Sequence, residues 1–487
     1  MNLDKNIDKI LETIQNKYGN SSDLVSRKIK TNKKEILYIY LESVSSDDKI
    51  SDFLMKDLGE YVKRDGHSFF ENLFKSLKNT IYNSHLKIVT TYDDVCFHLS
   101  SGYTVIFVEK ENKAIVVETK NTLDRGVTES TSESVVRGPK DSFTENNSTN
   151  LGLIRKRIKD YNLWFDETTV GRRTKTKVTI AFINDIVDKK NVDKIKKKLQ
   201  TIDIDGILDS GTIIEYINEK QKSAFPKLKS TERPDLASKY LLEGRIIILI
   251  ENSPFVLITP ALFVDYLQSP EDDYQREINS NFTRILRIIA FILTIITPSF
   301  YIAITTFDQQ VIPNELLISL SIQREGVPFP TAFEVIMLIT TFEILRESDI
   351  RIPTSMGSAI SIVGALVLGD AAVAAGIISP IVVIIVAITA ICGLLYTDID
   401  FVNATRLWRF IFIFFSLFCG LVGFIIAGLI FITKLCSLEM QGVSYLSPIS
   451  PFDIKSQNYA IIRKSNNKIK NRPLFLNIKN KKRKADN

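Results

Sequence analysis

Charge is missing from three long stretches of the C-terminal half, and this limits what the chain can fold into more than any other feature. Ile288–Phe307 is an uncharged run of 20 residues and Phe410–Thr433 one of 24, while the 41 residues of Gly357–Thr397 carry a single charge, Asp370. A helix of about 20 apolar residues is long enough to cross the roughly 30 Å hydrocarbon layer of a bilayer. The pattern argues against a wholly water-soluble fold. An apolar content of 45% over 487 residues also argues against intrinsic disorder, because that much apolar surface can drive burial.

Residues 1–284 are different, being dense in Lys, Arg, Asp and Glu. The first 30 residues hold no apolar core of signal-peptide length. The N-terminal region is therefore expected to stay in the cytoplasm, with insertion beginning near residue 285. Apolar runs bounded by turn residues read as strands at Ile36–Leu41, Tyr103–Glu109, Ala114–Glu118 and Val178–Ile183. Helices are expected at Leu151–Tyr161, Val192–Leu199 and Thr212–Lys220. Arg245–Glu251 and Phe255–Thr259 flank Asn252-Ser253-Pro254, which suits a hairpin in a soluble sheet better than a membrane crossing. The fold class is thus an α/β cytoplasmic region of two subdomains followed by an α-helical polytopic membrane domain of four to six spans. The expected boundaries are 1–160, 161–284, 285–440 for the membrane domain, and 441–487 for a basic cytoplasmic tail.

That tail carries 11 Lys and Arg beyond residue 454 against one acidic residue, Asp486. The positive-inside bias places it on the cytoplasmic side with the N-terminal region, so an even number of crossings follows. Ile285–Thr306, Gly357–Ser379, Pro380–Thr397 and Trp408–Thr433 give four. The semi-polar Ile312–Arg351 adds two more or lies as a re-entrant or interfacial pair. Basic clusters at Arg155–Lys159, Arg172–Lys177, Lys189–Lys198 and Asn480–Lys484 lack aromatic stacking platforms, which argues against nucleic acid. They read as solvated faces or as contacts for anionic membrane lipid.

Enzyme signatures are missing: there is no nucleophile elbow, phosphate loop, dinucleotide glycine pattern or zinc-protease motif. His67, His85 and His98 are too few for a metal cluster, and Cys96, Cys392, Cys419 and Cys436 lack disulfide or zinc spacing and read as small buried hydrophobes. Neither catalysis, a metal nor a cofactor is expected.

The apolar half is more informative. Asp370 lies in GALVLGDAAVAAGIISP, where an ionised carboxylate costs several kcal/mol unless it faces a partner or water. It reads either as a pore-lining carboxylate or as part of an interfacial turn at a helix break at Gly369. Small residues four apart (Ala365 and Gly369, Ala371 and Ala375) allow close backbone approach, within one chain or between copies. The helix Thr331–Ser348 carries Glu334, Glu343, Arg346 and Glu347. Glu343 and Arg346 are three apart and are expected to pair across one turn. Glu334 falls about 180° away from Glu343 around the helix, which suits an element between protein and water. Candidate pore or gating positions are therefore Asp370, Gly369, Gly364, Glu334, Glu343 and Arg346. Pro298, Pro313, Pro353 and Pro380 are the candidate helix breaks.

These same segments carry a family resemblance. PSFYIAITTFDQQVIPNELLISLSIQREGVPFP (298–330), FEILRESDIRIP (342–353) and GSAISIVGALVLGDAAVAAGIISP (357–380) resemble the signature stretches of the spore germination receptor A-subunit family, the GerA type. SESVVRGPKDSFTENNSTNLGLIRKRIK (132–159), VGRRTKTKVTI (170–180), IDIDGILDSG (202–211), STERPD (230–235), SPFVLITPALF (253–263) and GVSYLSPISPFD (442–453) extend the likeness. The resemblance implies a subunit of a nutrient germinant receptor in the spore inner membrane. It further implies a B-type transporter-like subunit and a C-type lipoprotein as partners, and assembly as a homo-oligomer that forms or gates an ion channel. Two other readings are a transporter with its own small-molecule site and a membrane-anchored scaffold. The chain departs from the family at Asp308, Gln310, Ile339 and Asp370, where His, Glu, Glu and Gln are common, so no ion-binding role is carried over to Gln310 or Ile339.

Overall fold

The computed structural model describes residues 2–30, 34–51, 73, 86–121, 133, 135–218, 223–351, 369–454, 456–465 and 467–484. The chain divides into two compact units. One is Met1–Gln221 with Lys227–Ala261 and Asn466–Asn487; the other is Lys222–Pro226 with Leu262–Ser465.

The first unit holds two five-stranded sheets, antiparallel throughout. In the first sheet β1 (Leu24–Lys30), β2 (Glu35–Leu41), β3 (Leu86–Val89), β4 (Tyr103–Val108) and β5 (Ala114–Glu118) are ordered β1-β2-β4-β5-β3. Helix α1 (Ile7–Lys17) presents Ile7, Ile10 and Ile14 at helical spacing, and the Asn6 side chain accepts from Asp8 N to start it. With α2 (Tyr92–Ser100) it covers Leu37, Ile39 and Leu41. Alternate residues Ile36, Tyr38 and Tyr40 enter a second core with Ile50 and Leu73. Burial on both faces is why β2 reads as an unbroken apolar run.

In the second sheet β6 (Leu163–Val170), β7 (Thr176–Ile183), β8 (Lys229–Thr231), β9 (Ile246–Ile250) and β10 (Val256–Thr259) are ordered β6-β7-β9-β10-β8. The β9–β10 hairpin pairs Leu257 with Ile248, and Asn252 takes the turn at φ 68°. Helices α3 (Asn147–Arg157), α4 (Lys189–Gln200), α5 (Ser210–Asn218) and α6 (Pro234–Glu243) accompany it. Helix α3 precedes residue 160 yet sends Leu151, Leu153 and Ile154 into this second core. From residue 466 the chain also belongs to this unit: Leu476 and Ile478 enter the same core, and Arg472 Nε donates to Leu242 O at 2.9 Å. The stretch expected as part of a solvated basic tail is thus anchored by its own apolar residues.

A buried ion pair ties the two sheets together. Arg155 of α3 is fully buried, its Nε donating to Asp23 Oδ2 at 2.6 Å and its Nη2 to Asp23 Oδ1 at 2.9 Å. Ser21 and Ser43 hydroxyls donate to the same carboxylate at 2.7 Å, and the guanidinium lies 4.6 Å from the Phe165 ring centroid. Burial alone would raise the Asp23 pKa. Arg155 and the two hydroxyls outweigh it and hold the carboxyl below its ordinary value. The first basic cluster is therefore not a solvated face at Arg155. Of the four cysteines, only Cys96 is buried, while Cys419 and Cys436 are exposed, so the expectation of small buried hydrophobes fails at those two.

The second unit is helical. Its elements are α7 (Glu277–Thr306), α8 (Asn314–Gln323), α9 (Thr331–Arg351), α10 (Pro380–Gly393) and α11 (Ile399–Ser437). Among the described residues, α7 and α11 are long and apolar enough to cross a membrane. Pro298 lies buried within α7, Pro313 precedes α8, and Pro380 opens α10. Helix α11 is not one rod. Gly420 sits at φ 55°, ψ −137°, and the helix folds back there. In a straight helix positions 408 and 431 would be about 35 Å apart, yet the Trp408 and Phe431 rings are 5.0 Å apart and Phe412 meets both Phe424 and Phe431. The single crossing expected over Trp408–Thr433 is instead two antiparallel arms. An uncharged run shows no turn when the turn is made by one glycine.

Residues 442–465 pack on the start of α7. Asp272 is buried and accepts from Arg284 Nε at 3.0 Å and from both Arg287 Nη atoms at 2.8 and 2.9 Å. Arg284 Nη1 reaches Ala460 O, while Arg463 donates to Gln275 O and Asp273 O. Phe263, Phe291, Phe401 and Tyr445 form the aromatic floor of this end, with Tyr266 stacked on Phe401 at 5.1 Å.

Candidate functional site

The helical unit contains two buried charged clusters, and both depend on α9. Toward its C-terminal half, Glu343 is 9% exposed and faces α11, whose Arg406 and Arg409 are one turn apart. Arg409 Nη2 donates to Glu343 Oε1, and Arg406 Nη2 lies 2.5 Å from Oε2 as an ion pair without hydrogen-bond alignment. Glu343 and Arg346 act on one another electrostatically, as their spacing allows, but the direct contacts of the carboxylate are made elsewhere. Two arginines from another helix take both carboxylate oxygens, and Arg346 makes no ion pair among the described residues. Arg406 and Arg409 went unnoticed in the sequence because they read as the polar lead-in to an apolar run. Their signal was the three-residue spacing, which places two cations on one helix face.

At the start of α9, Glu334 is fully buried. Its Oε2 accepts from Ser379 N and from Ser379 Oγ, each at 2.8 Å. Ser379 immediately precedes Pro380, so a carboxylate from α9 satisfies a free amide at the start of α10 and sits at the positive end of its dipole. Oε1 makes no hydrogen bond, but Arg324 Nη2 lies 3.7 Å from it. Tyr301 Oη is also buried and unpaired. The two glutamates do fall on different faces of α9, but neither faces water. Each is buried against a different helix, which corrects the expectation of an element between protein and water. Glu334→Leu is expected to cost about 1–3 kcal/mol, because Ser379 N is left buried without an acceptor. Glu334→Gln keeps an acceptor and should cost less; thermal melts of the full chain in detergent compare the two.

Gly369 is buried, with space of 3.7 Å between an added Cβ and Val383, whereas Asp370 is exposed on the surface of the chain. Ala371, Ala374 and Ala375 are exposed beside it. Gly364 and Pro353 lie outside the described residues. Asp308 accepts from Leu421 N at 3.0 Å and so holds the turn at Gly420. Among the described residues no group of three or more His, Cys, Asp or Glu side chains converges on one point.

An antiparallel α/β unit followed by a helical unit with two helices long and apolar enough to cross a membrane defines a membrane-associated protein of two parts. The family described as Bacillus/Clostridium GerA spore germination protein matches residues 12–475. Spore germination protein KA of Bacillus subtilis (strain 168) is 38% identical over 448 residues, 91% of this chain and 82% of that protein. Spore germination protein GerLA of Bacillus cereus is 32% identical, covering 98% of this chain and 97% of the relative. The crystal structure of the N-terminal domain of the A subunit of the Bacillus megaterium spore germinant receptor GerK3 covers 54% of this chain and 98% of that domain, at 32% identity and a TM-score of 0.42. The chain belongs to the GerA family of spore germination proteins, and with it to spore germination.

Proposed function

We propose that the chain is the A subunit of a nutrient germinant receptor in the spore inner membrane, and that copies assemble to form or gate the ion channel that starts germination. The observation that carries this is Asp370, a carboxylate exposed on an apolar helical unit beside exposed alanines. Against lipid such a charge costs several kcal/mol; against a water-filled pathway or a neighbouring copy it does not. Small side chains around it permit close packing between copies. Four to six crossings, an even number, are part of this reading. Residues 2–218 and 467–484, which precede and follow the apolar helices, belong to one compact unit, which supports placing both on the same, cytoplasmic, side. A B-type transporter-like subunit and a C-type lipoprotein are the proposed partners. A transporter with its own site and a membrane-anchored scaffold remain the competing readings.

Nutrient-triggered cation release from spores with and without this chain tests the proposal. Loss of release for one nutrient class supports it; unchanged release for all nutrients, with no sister receptor compensating, favours the scaffold. Asp370→Leu is expected to insert normally and to abolish or alter the flux, and a normal flux would remove Asp370 from the pathway.

A further inference from the structure

The Glu343 cluster holds more positive charge than the described residues around it balance. Three arginines, Arg346, Arg406 and Arg409, line one small cavity with a single carboxylate among them. The charges close enough to act on Arg409 are Glu343 and the other two arginines. Arg409 is 96% buried by its side chain (4% exposed), and its Nε has no hydrogen-bond partner. Arg346 is half-buried, and it shares Glu343 with the other two arginines as the carboxylate that acts on it.

The cavity wall offers no second carboxylate. The hydroxyls of Thr294, Thr389 and Thr405 donate to the carbonyls of Ala290, Ile385 and Phe401, each four residues earlier, and Tyr396 Oη donates to Arg287 O. Their hydrogens are committed, so toward the guanidinium groups they offer only neutral lone pairs, which accept hydrogen bonds but balance no charge. A surplus of two positive charges in a site of this burial costs several kcal/mol, and a neutral water cannot offset it. What the site lacks is an anion. The free space is about 10 Å³, room for one water-sized atom. Arg406, a quarter exposed, stands at the mouth.

We propose that this cavity binds a phosphate-type oxyanion: one oxygen enters between Arg409 and Arg346 while the rest of the group stays at the mouth beside Arg406. The source is either free phosphate or the headgroup of an anionic phospholipid, since guanidinium forks recognise both alike. The proposal does not rest on ion conduction, and its test measures binding without flux.

The test uses the full chain in nanodiscs of phosphatidylcholine, with inorganic phosphate titrated against chloride of equal ionic strength and the melting temperature as readout, since a ligand of the folded state raises it. A parallel preparation contains phosphatidylglycerol, with lipid retention followed by native mass spectrometry. A saturable rise with phosphate identifies the free anion. A rise and retention with phosphatidylglycerol, insensitive to phosphate, identifies the headgroup. In either case Arg346→Gln, which leaves no partner stranded, should weaken the response about tenfold, the loss of one charge-assisted contact. Glu343→Gln should strengthen it about fivefold or more by removing the competing carboxylate, an increase that a merely structural role would not produce. No saturable response to either probe, or responses unchanged in Arg346→Gln and weakened in Glu343→Gln, would overturn the proposal.

Discussion

Arg155→Ala is expected to destabilise the first unit by about 3–5 kcal/mol, because it strands the Asp23 carboxylate with no counter-charge in a site without water access. The two serine hydroxyls that remain cannot neutralise it. Replacing both partners, Arg155→Met with Asp23→Leu, should cost less than the single change, since no charge is then left behind. Urea unfolding of the full chain, followed by near-ultraviolet circular dichroism, measures both. A single variant no less stable than the double would refute the pairing argument. The pH dependence has a fixed sign. The folded Asp23 carboxyl titrates below its ordinary value, so its contribution is fully present above the unfolded pKa of about 4 and is lost as the pH falls through the lower folded value. In Arg155→Met with Asp23→Leu that acid-dependent loss should vanish.

Gly420→Leu should have an effect of similar size on the helical unit. Gly420 has φ 55° and ψ −137°, a conformation that costs an L-residue about 1–3 kcal/mol. A Cβ there would also lie 2.7 Å from Phe307 Cβ and 2.8 Å from Asp308 Oδ2, closer than side-chain atoms approach. Displacing Asp308 removes the acceptor for Leu421 N as well. The expected result is loss of the fold-back. In a cysteine-free background, a Trp408→Cys/Phe431→Cys pair should cross-link with a short bismaleimide, and adding Gly420→Leu should abolish the cross-link. An equally efficient cross-link in the leucine variant would mean that the turn does not depend on glycine.

Strands β2, β5, β7 and the β9–β10 hairpin were legible in the sequence because their apolar runs end at turn residues. Strand β6 was missed: LWFDETTV mixes Asp and Glu into a strand whose outer face is solvated, so its periodicity is weak. Helix α9 was legible as an element, but the partners of its charges were not. Spacing along one helix predicts only intrahelical pairs, whereas Glu343 and Glu334 are satisfied by Arg409 and Ser379, 66 and 45 residues away. The same limit hid Arg155, which resembles its exposed neighbour Lys156 in sequence and differs in what it meets 132 residues earlier. The candidate site was thus half readable: the glutamates stood out as charges in an apolar setting, and their counter-charges did not.

The placement of Leu476 and Ile478 in the core of the second sheet imposes an order on synthesis. Each is about 95% buried, and such a side chain contributes roughly 1.5–3 kcal/mol. The ribosome completes them only after every apolar helix has been made, so the sheet stands with two gaps in its core while those helices enter the bilayer. A nascent chain halted after residue 465 would carry all its strands and still lack part of the packing that stabilises them. Completion of the N-terminal fold therefore reports that the chain has been translated past Ile478.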